Sequence, residues 1–432
     1  MSNLYQTFRL VGLAALASSV LAACQTSPTN SLPSSKNDAL VAKSNVTQQE
    51  LAAFKANVCS FETYEQKLER LGITNPNKLS AASKRALLWK DKPNNWYGAF
   101  TVKDLKGDLA FEESVVRRDP SSVLFENGLY HVWYTKSEGP SKGFTDDPDA
   151  KVWPWDHSEV WHATSKDGIT WDEDATAVYR GKPGEFDDRS VFTPEVYKHQ
   201  DTYYLVYQTV KSPYIQRVKN QIGLSYAKSP WGPWTKHDKP ILSPADNAQW
   251  SGDDVHDRFS VTNKGDFDSH KVHDPYLTYF NGKFHLYYKG EQMGWEMTHG
   301  GREIRHGVAT AETPFGPYTK SPFNPISNSG HEVAVWHHNG GIGSLITTDG
   351  VERNTVQWAK DGINFEILAH IKQAPPAMGL VRDLAKSNEP FKIFKWGLTH
   401  NIKTHDYTYI QRFQGYQRGR VKTSATHNLK CD

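Results

Sequence analysis

The sequence predicts an all-β fold, a five-bladed β-propeller preceded by a helical segment, and three observations carry that prediction. First, four short segments place an acidic residue at the head of an apolar or aromatic strand: Arg118-Asp119-Pro120, Thr193-Pro194-Glu195, His273-Asp274-Pro275 and His331-Glu332-Val333. Their acidic members Asp119, Glu195, Asp274 and Glu332 recur at intervals of roughly 60–80 residues, longer than the ~40–50 of common propeller repeats. Second, a turn follows each head, with Asn127-Gly128, Asn281-Gly282 and Asn339-Gly340 among them. Asn-Gly between alternating apolar residues marks a hairpin, because both turn positions require positive φ. Third, each unit ends in a turn tipped by an aromatic residue, as in Ser229-Pro230-Trp231-Gly232-Pro233-Trp234 and Thr313-Pro314-Phe315-Gly316-Pro317-Tyr318. Two β-sandwiches would also give many short strands, but matching heads and turns favour radial repetition, which protects sheet edges.

The elements follow in order. Residues 1–23 contain a short apolar run, Val11 to Leu21, too short for a permanent bilayer span. It ends in Leu21-Ala22-Ala23-Cys24, which resembles a bacterial lipobox with Cys24 as the lipidated residue; an ordinary secretory signal is the alternative. Residues 24–45 are rich in Ser, Thr, Asn and Pro and read as a disordered tether. Residues 46–95 read as a helical hairpin over Thr47 to Leu71 and Ser80 to Trp89, opened by the capping box Thr47-x-x-Glu50 and broken at Gly72 and Pro76. Its apolar face must pack on its own propeller or on a neighbour's, and exchange of such an arm is a simple route to a dimer. Residues 96–432 form the propeller, with four units from about Asp119 to Ile367 and a fifth shared between Trp96–Glu113 and Leu380–Phe413.

Composition narrows the partners. A net charge of +2 gives no field directed at nucleic acid, and the membrane is expected only through a lipid on Cys24. That places the protein on the periplasmic side of an outer membrane or, without the lipid, free in the periplasm. Cys59 and Cys431 remain as a candidate pair, and no Cys/His zinc spacing is present. Fourteen Trp and 20 Tyr suffice for both blade cores and a ligand-stacking wall, so they decide neither.

Four acids converging on one axis point to acid–base work. Asp119 is the candidate base, with Pro120 fixing the chain beside it; capping of an Asp-Pro turn is the structural alternative. Asp274 is the second axial acid, or one half of a structural ion pair. His331 and Glu332 are adjacent, yet consecutive strand residues face opposite sides. If both enter one site, the pair must lie at a strand start or bulge next to Gly330. Thr193, Glu195, Gln208 and His273 are expected to bind ligand hydroxyls. Trp155, with Trp153 in the long insertion Lys136 to Ser158, either stacks on a ligand or packs its own loop. The chemistry requires no cofactor, and a divalent cation held in the central channel through waters stays open.

The pattern resembles glycoside hydrolase family 117, the α-neoagarooligosaccharide hydrolases, over nearly the whole chain after the tether. The resemblance rests on Leu79-Ser80-Ala81-Ala82-Ser83-Lys84-Arg85-Ala86, on RRDPSSV, FTPEVY and VHDPYL, and most specifically on SGHEVAVW with its His331–Glu332 pair. It implies a five-bladed propeller, a homodimer with exchanged N-terminal helices, and inverting release of 3,6-anhydro-L-galactose from the non-reducing end of neoagarooligosaccharides. It also implies histidine as proton donor, with Glu332 as donor and His331 as its orienting partner left as the alternative. A propeller glycosidase acting on arabinan, xylan or fructan, and a non-catalytic sugar-binding lipoprotein, are the competing expectations.

Overall fold

Five antiparallel sheets follow one another along the chain, each built from four or more strands. They are seen in a computed structural model that describes residues 64–70, 73–79, 81–88, 96, 98–294, 304–327, 329–348, 350–371, 374–401 and 406–417. The chain divides into two compact units, Met1–Phe61 with Lys430–Asp432, and Glu62–Leu429; every described residue belongs to the second. The leader, Cys24, the tether, the Thr47 capping box, Cys59 and Cys431 lie outside the described residues.

Blade 1 runs Val115–Arg118, Leu129–Glu138, Glu159–Ser165 and Thr170–Val178 from axis to rim, with Lys106–Gly107 added in parallel outside. Blade 2 is Ser190–His199, Thr202–Val210, Gln221–Ala227 and Thr235–Lys236. Blade 3 is Lys271–Phe280, Lys283–Glu291, Arg305–Ala311 and Thr319–Lys320; blade 4 is His331–His338, Gly341–Thr348, Thr355–Ala359 and Glu366–His370. Blade 5 starts with Gly379–Leu380, Trp396–His400 and Ile410–Gln417. Its rim strand is Gly98–Asp104 from the start of the propeller, paired antiparallel with Ile410–Gln417. That strand ties the two ends of the ring together by ladder hydrogen bonds.

The strands are apolar on both faces near the axis because each sheet is covered on both sides. Five separate apolar clusters fill the five gaps between neighbouring blades. Leu224 and Leu286 meet between blades 2 and 3, Trp133 and Leu205 between 1 and 2, Tyr287 and Val335 between 3 and 4, Trp336 and Phe394 between 4 and 5, and Trp171 and Leu398 between 5 and 1.

The aromatic-tipped turns explain themselves in this frame, since each reaches back onto the blade before it. Trp231 of blade 2 stands edge-on to His131 of blade 1, with ring centroids 4.7 Å apart. Phe315 of blade 3 meets Tyr226 of blade 2 at 5.2 Å. In blade 4 the Gly362 carbonyl accepts from the Tyr287 hydroxyl of blade 3 at 2.7 Å. In blade 1, Gly168 (φ +67°) lies flat under Trp396 of blade 5, where a Cβ would fall 2.7 Å from the ring. Only glycine fits there.

Before the propeller, Tyr64–Arg70 and Ala81–Leu88 are α-helical and Pro76–Lys78 forms one 3₁₀ turn. Ile73, Leu79 and Leu87 pack together with Val351 at the edge of blade 4.

Two buried histidines off the axis give the fold an acid-sensitive element. Burial and the neighbouring His162 push His131 down to about 4, and burial pushes His306 down to about 3. An unfolded histidine titrates near ~6.5, so between that pH and about 4 the unfolded chain takes up protons that the native chain refuses, and stability falls as pH falls. The urea midpoint should therefore drop between pH 7 and pH 5. The drop should be smaller in His131→Phe, by about 2 kcal/mol at pH 5. Equal pH dependence in the two proteins would contradict this account.

Candidate active site

The site begins with a backbone conformation. Asp119, Thr193, Asp274, Glu332 and Ala377 all sit in the left-handed region, with φ of 50°, 47°, 48°, 56° and 45°. Each lies in or beside one inner strand, and all five line one cavity of about 850 Å³. The parallel bridge between Val123 and Val381, each four residues past its head, confirms that Ala377 is the blade 5 counterpart of Asp119.

This corrects the sequence register in blade 2. The equivalent of Asp119 is Thr193, followed by Pro194 as Asp119 is by Pro120 and Asp274 by Pro275. Glu195 lies two residues further along. In blades 2 and 3 the head and its proline form a bulge, two residues facing one: pairing jumps from Phe192↔Gln208 to Glu195↔Val206 and from His273↔Lys289 to Tyr276↔Tyr287. Proline is tolerated there because a bulge needs no ladder donor. Blade 4 has no extra residue, with His331↔Thr348 and Val333↔Ile346, yet Glu332 is still left-handed. That twist lets His331 and Glu332 both line the cavity, which alternation alone forbids.

A second ring of residues comes from the neighbouring strand of each blade. Thr135, Gln208, Lys289 and Thr348 lie opposite the residue that precedes each head. By the same register, set by Gly379↔Leu398, His400 fills this place in blade 5. These residues hold the heads. Asp119 Oδ2 accepts from Arg118 Nε at 2.9 Å, Thr135 Oγ1 at 3.2 Å and Thr193 Oγ1 at 3.3 Å. Its Oδ1 lies 3.3 Å from His400 Nδ1. Lys289 Nζ is 2.7 Å from Asp274 Oδ2. Glu332 Oε2 accepts from Thr348 Oγ1 at 2.6 Å and from the Ala377 N–H at 3.2 Å, while Oε1 is 3.6 Å from His400 Nε2.

These contacts set the charges. Burial resists ionisation of Asp119, but the Arg118 guanidinium outweighs it and holds the carboxyl well below the usual range. Asp274 is lowered as well, because the Lys289 ammonium overcomes its burial. His273 is driven well below its ordinary value by burial and by Lys289, so it is neutral. Its Nδ1 meets Gln208 Nε2 at 3.2 Å and its Nε2 lies 3.3 Å from Glu291.

Glu195 has a different setting from the heads. Its Oε2 accepts the Ser122 N–H at 2.8 Å and its Oε1 takes Arg382 at 2.5 Å. Burial raises its pKa against the pull of Arg382 and Ser122. Ser122 Oγ in turn bonds the Tyr276 hydroxyl at 3.0 Å, and Arg382 stacks 4.6 Å over the Tyr276 ring. Residues from blades 1, 2 and 3 and from the turn after blade 5's inner strand thus meet in one hydrogen-bonded plug. The expected hydroxyl binder is therefore committed to that plug, while still edging the cavity.

One wall of the cavity is aromatic. Trp153 and Trp155 stack at 5.6 Å, the Arg118 guanidinium lies 4.7 Å over Trp155, and Trp155 Nε1 donates to the Tyr214 hydroxyl at 3.3 Å. The loop is clasped by the buried Arg189–Asp156 pair at 2.7 Å. Among the described residues no group of three or more His, Cys, Asp or Glu is arranged to hold a metal.

Sequence reasoning missed Ala377, which carries no chemistry, and His400. A positional signal existed for the second ring. Thr135, Gln208, Lys289 and Thr348 each follow their head by 15 or 16 residues. In blade 5 the 3₁₀ turns Arg382–Lys386 and Lys392–Phe394 lengthen that interval and hide His400.

A five-bladed propeller that gathers carboxylates and imidazoles around an aromatic-walled cavity is the architecture of a glycoside hydrolase, and the comparisons with known proteins agree. The model of the glycosyl hydrolases family 32 N-terminal domain matches residues 113–258. The structure of Zg3597, a family 117 glycoside hydrolase produced by the marine bacterium Zobellia galactanivorans, is 32% identical, with 74% of this chain and 91% of that chain covered and a TM-score of 0.61. The chain belongs to glycoside hydrolase family 117. A second solved glycoside hydrolase, 14% identical over 75% of this chain and 95% of its own, has a TM-score of 0.50 and shares the fold. Fructan 1-exohydrolase IIa from Cichorium intybus is 13% identical over 74% of this chain and 57% of its own, with a TM-score of 0.45. A search of curated proteins returned no match.

The Lys289–Asp274 pair offers a direct test of the charge assignments. Lys289→Met leaves a buried carboxylate unpaired, at a cost of about 3 kcal/mol. Because the folded pKa of Asp274 is depressed, the pair's contribution is complete above the unfolded carboxyl value near ~3.9 and is lost as pH falls through the lower folded value. The difference in unfolding free energy between wild type and Lys289→Met should thus be full at pH 7 and shrink below pH ~4. A difference that is constant with pH would refute the pairing.

Proposed function

We propose that this enzyme hydrolyses the α-1,3 bond at the non-reducing end of neoagarobiose and neoagarooligosaccharides, releasing 3,6-anhydro-L-galactose with inversion. Family membership supports the reaction class, and the His331–Glu332 pair is the feature of this chain most specific to that activity. Action at a chain end fits a cavity edged by Glu195 and Tyr276, which Ser122 and Arg382 tie into one hydrogen-bonded plug.

In this reading Asp119 is the base. Held ionised, it takes a proton from water as the water oxygen bonds to the anomeric carbon. On the opposite face a proton passes to the glycosidic oxygen as its bond to the anomeric carbon breaks, so the sugar leaves with inverted configuration. His331, with Glu332 beside it, serves that face. The observation that carries the inverting mechanism is the spacing: one imidazole and two polar contacts separate the Asp119 and Glu332 carboxylates. That suits the roughly 6.5–9.5 Å between acid and base of an inverting enzyme better than the roughly 5–5.5 Å of a retaining one. Asp274, paired with Lys289, acts as a fixed negative charge near His331. Gln208, His273 and Thr193 offer donors and acceptors for sugar hydroxyls, and Trp155 a stacking face.

The match to the family 32 domain favours one competing reading, a fructosidase. Released-sugar analysis on neoagarobiose, sucrose and inulin separates the two. The expected outcome is 3,6-anhydro-L-galactose from neoagarobiose, a fall in kcat of about 10³-fold or more in Asp119→Asn, and no fructose. Fructose release without anhydrogalactose would sink the proposal. With an aryl glycoside whose leaving group needs no proton, the variant lacking the true donor, His331→Gln or Glu332→Gln, should regain most of its rate.

The lipobox and the helical segment extend the proposal to a lipid-anchored homodimer that exchanges its N-terminal arms. Cys24→Ser should release the protein from membranes, and removal of residues 46–95 should halve the mass seen by light scattering.

A further inference from the structure

Two members of the second ring touch two heads: Thr135 meets Asp119 and Thr193, and the imidazole of His400 meets Asp119 and Glu332. His400 is buried, 3% exposed, and stands between Asp119 and Glu332. Its Nδ1 faces two atoms of Asp119: it accepts the backbone N–H at 3.2 Å and lies 3.3 Å from Oδ1. These contacts make opposite demands. The N–H requires an Nδ1 without a proton, whereas the carboxylate oxygen requires one with it. On the other side Nε2 lies 3.6 Å from Glu332 Oε1.

Among the described residues two carboxylates stand against the ring, Asp119 from blade 1 and Glu332 from blade 4; Arg118 acts through its bond to Asp119. A negative Glu332 draws the imidazole proton to Nε2 and leaves Nδ1 bare. Nδ1 then holds the Asp119 backbone and releases Oδ1 toward the cavity. A neutral residue at 332 removes that pull. The proton then moves to Nδ1 and binds Oδ1, which makes Asp119 a weaker base.

We propose that His400 is a positioning residue that couples the two sides of the site, its tautomer set by the charge on Glu332 and in turn setting how firmly the Asp119 carboxylate is held. The proposal deepens the reading of Asp119 as base and rests on it. The coupling also accounts for the departure of blade 5 from the other blades. With an alanine at its head, blade 5 contributes through its second strand instead.

The test combines a spectrum that needs no substrate with kinetics that do. Imidazole ¹⁵N shifts report which nitrogen carries the proton, and the His400 signal is assigned by its loss in His400→Asn. At pH 7 the wild-type proton should sit on Nε2 and move to Nδ1 in Glu332→Gln. In His400→Asn, which keeps a polar group near Nδ1, kcat on neoagarobiose should fall 10- to 100-fold with KM within threefold and an unchanged melting temperature. An identical tautomer in wild type and Glu332→Gln overturns the proposal, as does wild-type kcat in His400→Asn. If the tautomer moves but wild type does not cleave neoagarobiose, the coupling stands and the substrate assignment falls.

Discussion

The left-handed residue in or beside every inner strand is the constraint on which this site depends. A non-glycine residue pays on the order of 1 kcal/mol for positive φ, and five such residues recur at one place. The conformation turns the side chain out of the strand's alternation and toward the axis. It therefore lets two consecutive residues, such as His273 and Asp274 or His331 and Glu332, face the same cavity. The five apolar clusters between blades and the turns that grip the preceding blade hold this geometry rigidly enough to sustain the strain.

Charge follows from that geometry. Bringing Asp119, Asp274 and Glu332 to one axis with Glu195 beneath would be prohibitive if they were left alone, because like charges at close range in a dry interior cannot all ionise. Each acquires its own donor from a neighbouring strand or turn. Arg118 and the Thr135 and Thr193 hydroxyls serve Asp119; Lys289 serves Asp274; Thr348 serves Glu332; Arg382 serves Glu195. The second ring is thus the electrostatic condition for the first. A ring of heads without it would neutralise by taking up protons.

Much of this was legible in the sequence because repetition exposes it. The Asn-Gly hairpins, the Asp-Pro heads and the aromatic turns recur with residue types that backbone geometry demands, so blade order and the roles of Asp119 and Asp274 as axial acids could be read directly. Charge misleads where it departs from backbone. In blade 2 the nearest acid is Glu195, although the Pro in Thr193-Pro194 aligns with Pro120 and Pro275. In blade 5 no acid marks the head at all, so Ala377 and its partner His400 carry no such signal. A pattern defined by φ rather than by charge would have found both, since threonine and alanine can occupy a left-handed position as aspartate can, at some strain.

The same backbone pattern sets the surroundings of Glu332. Blade 4 alone among blades 2–4 reaches its head without an inserted residue, so His331 stays in the ladder opposite Thr348 while Glu332 turns sideways. Turned that way, Glu332 meets donors: the Thr348 hydroxyl and the Ala377 N–H on one oxygen, His400 Nε2 near the other. A carboxyl ringed by donors is built to accept hydrogen bonds. Glu332 is thus held from two blades, by Thr348 of its own and by Ala377 and His400 of blade 5.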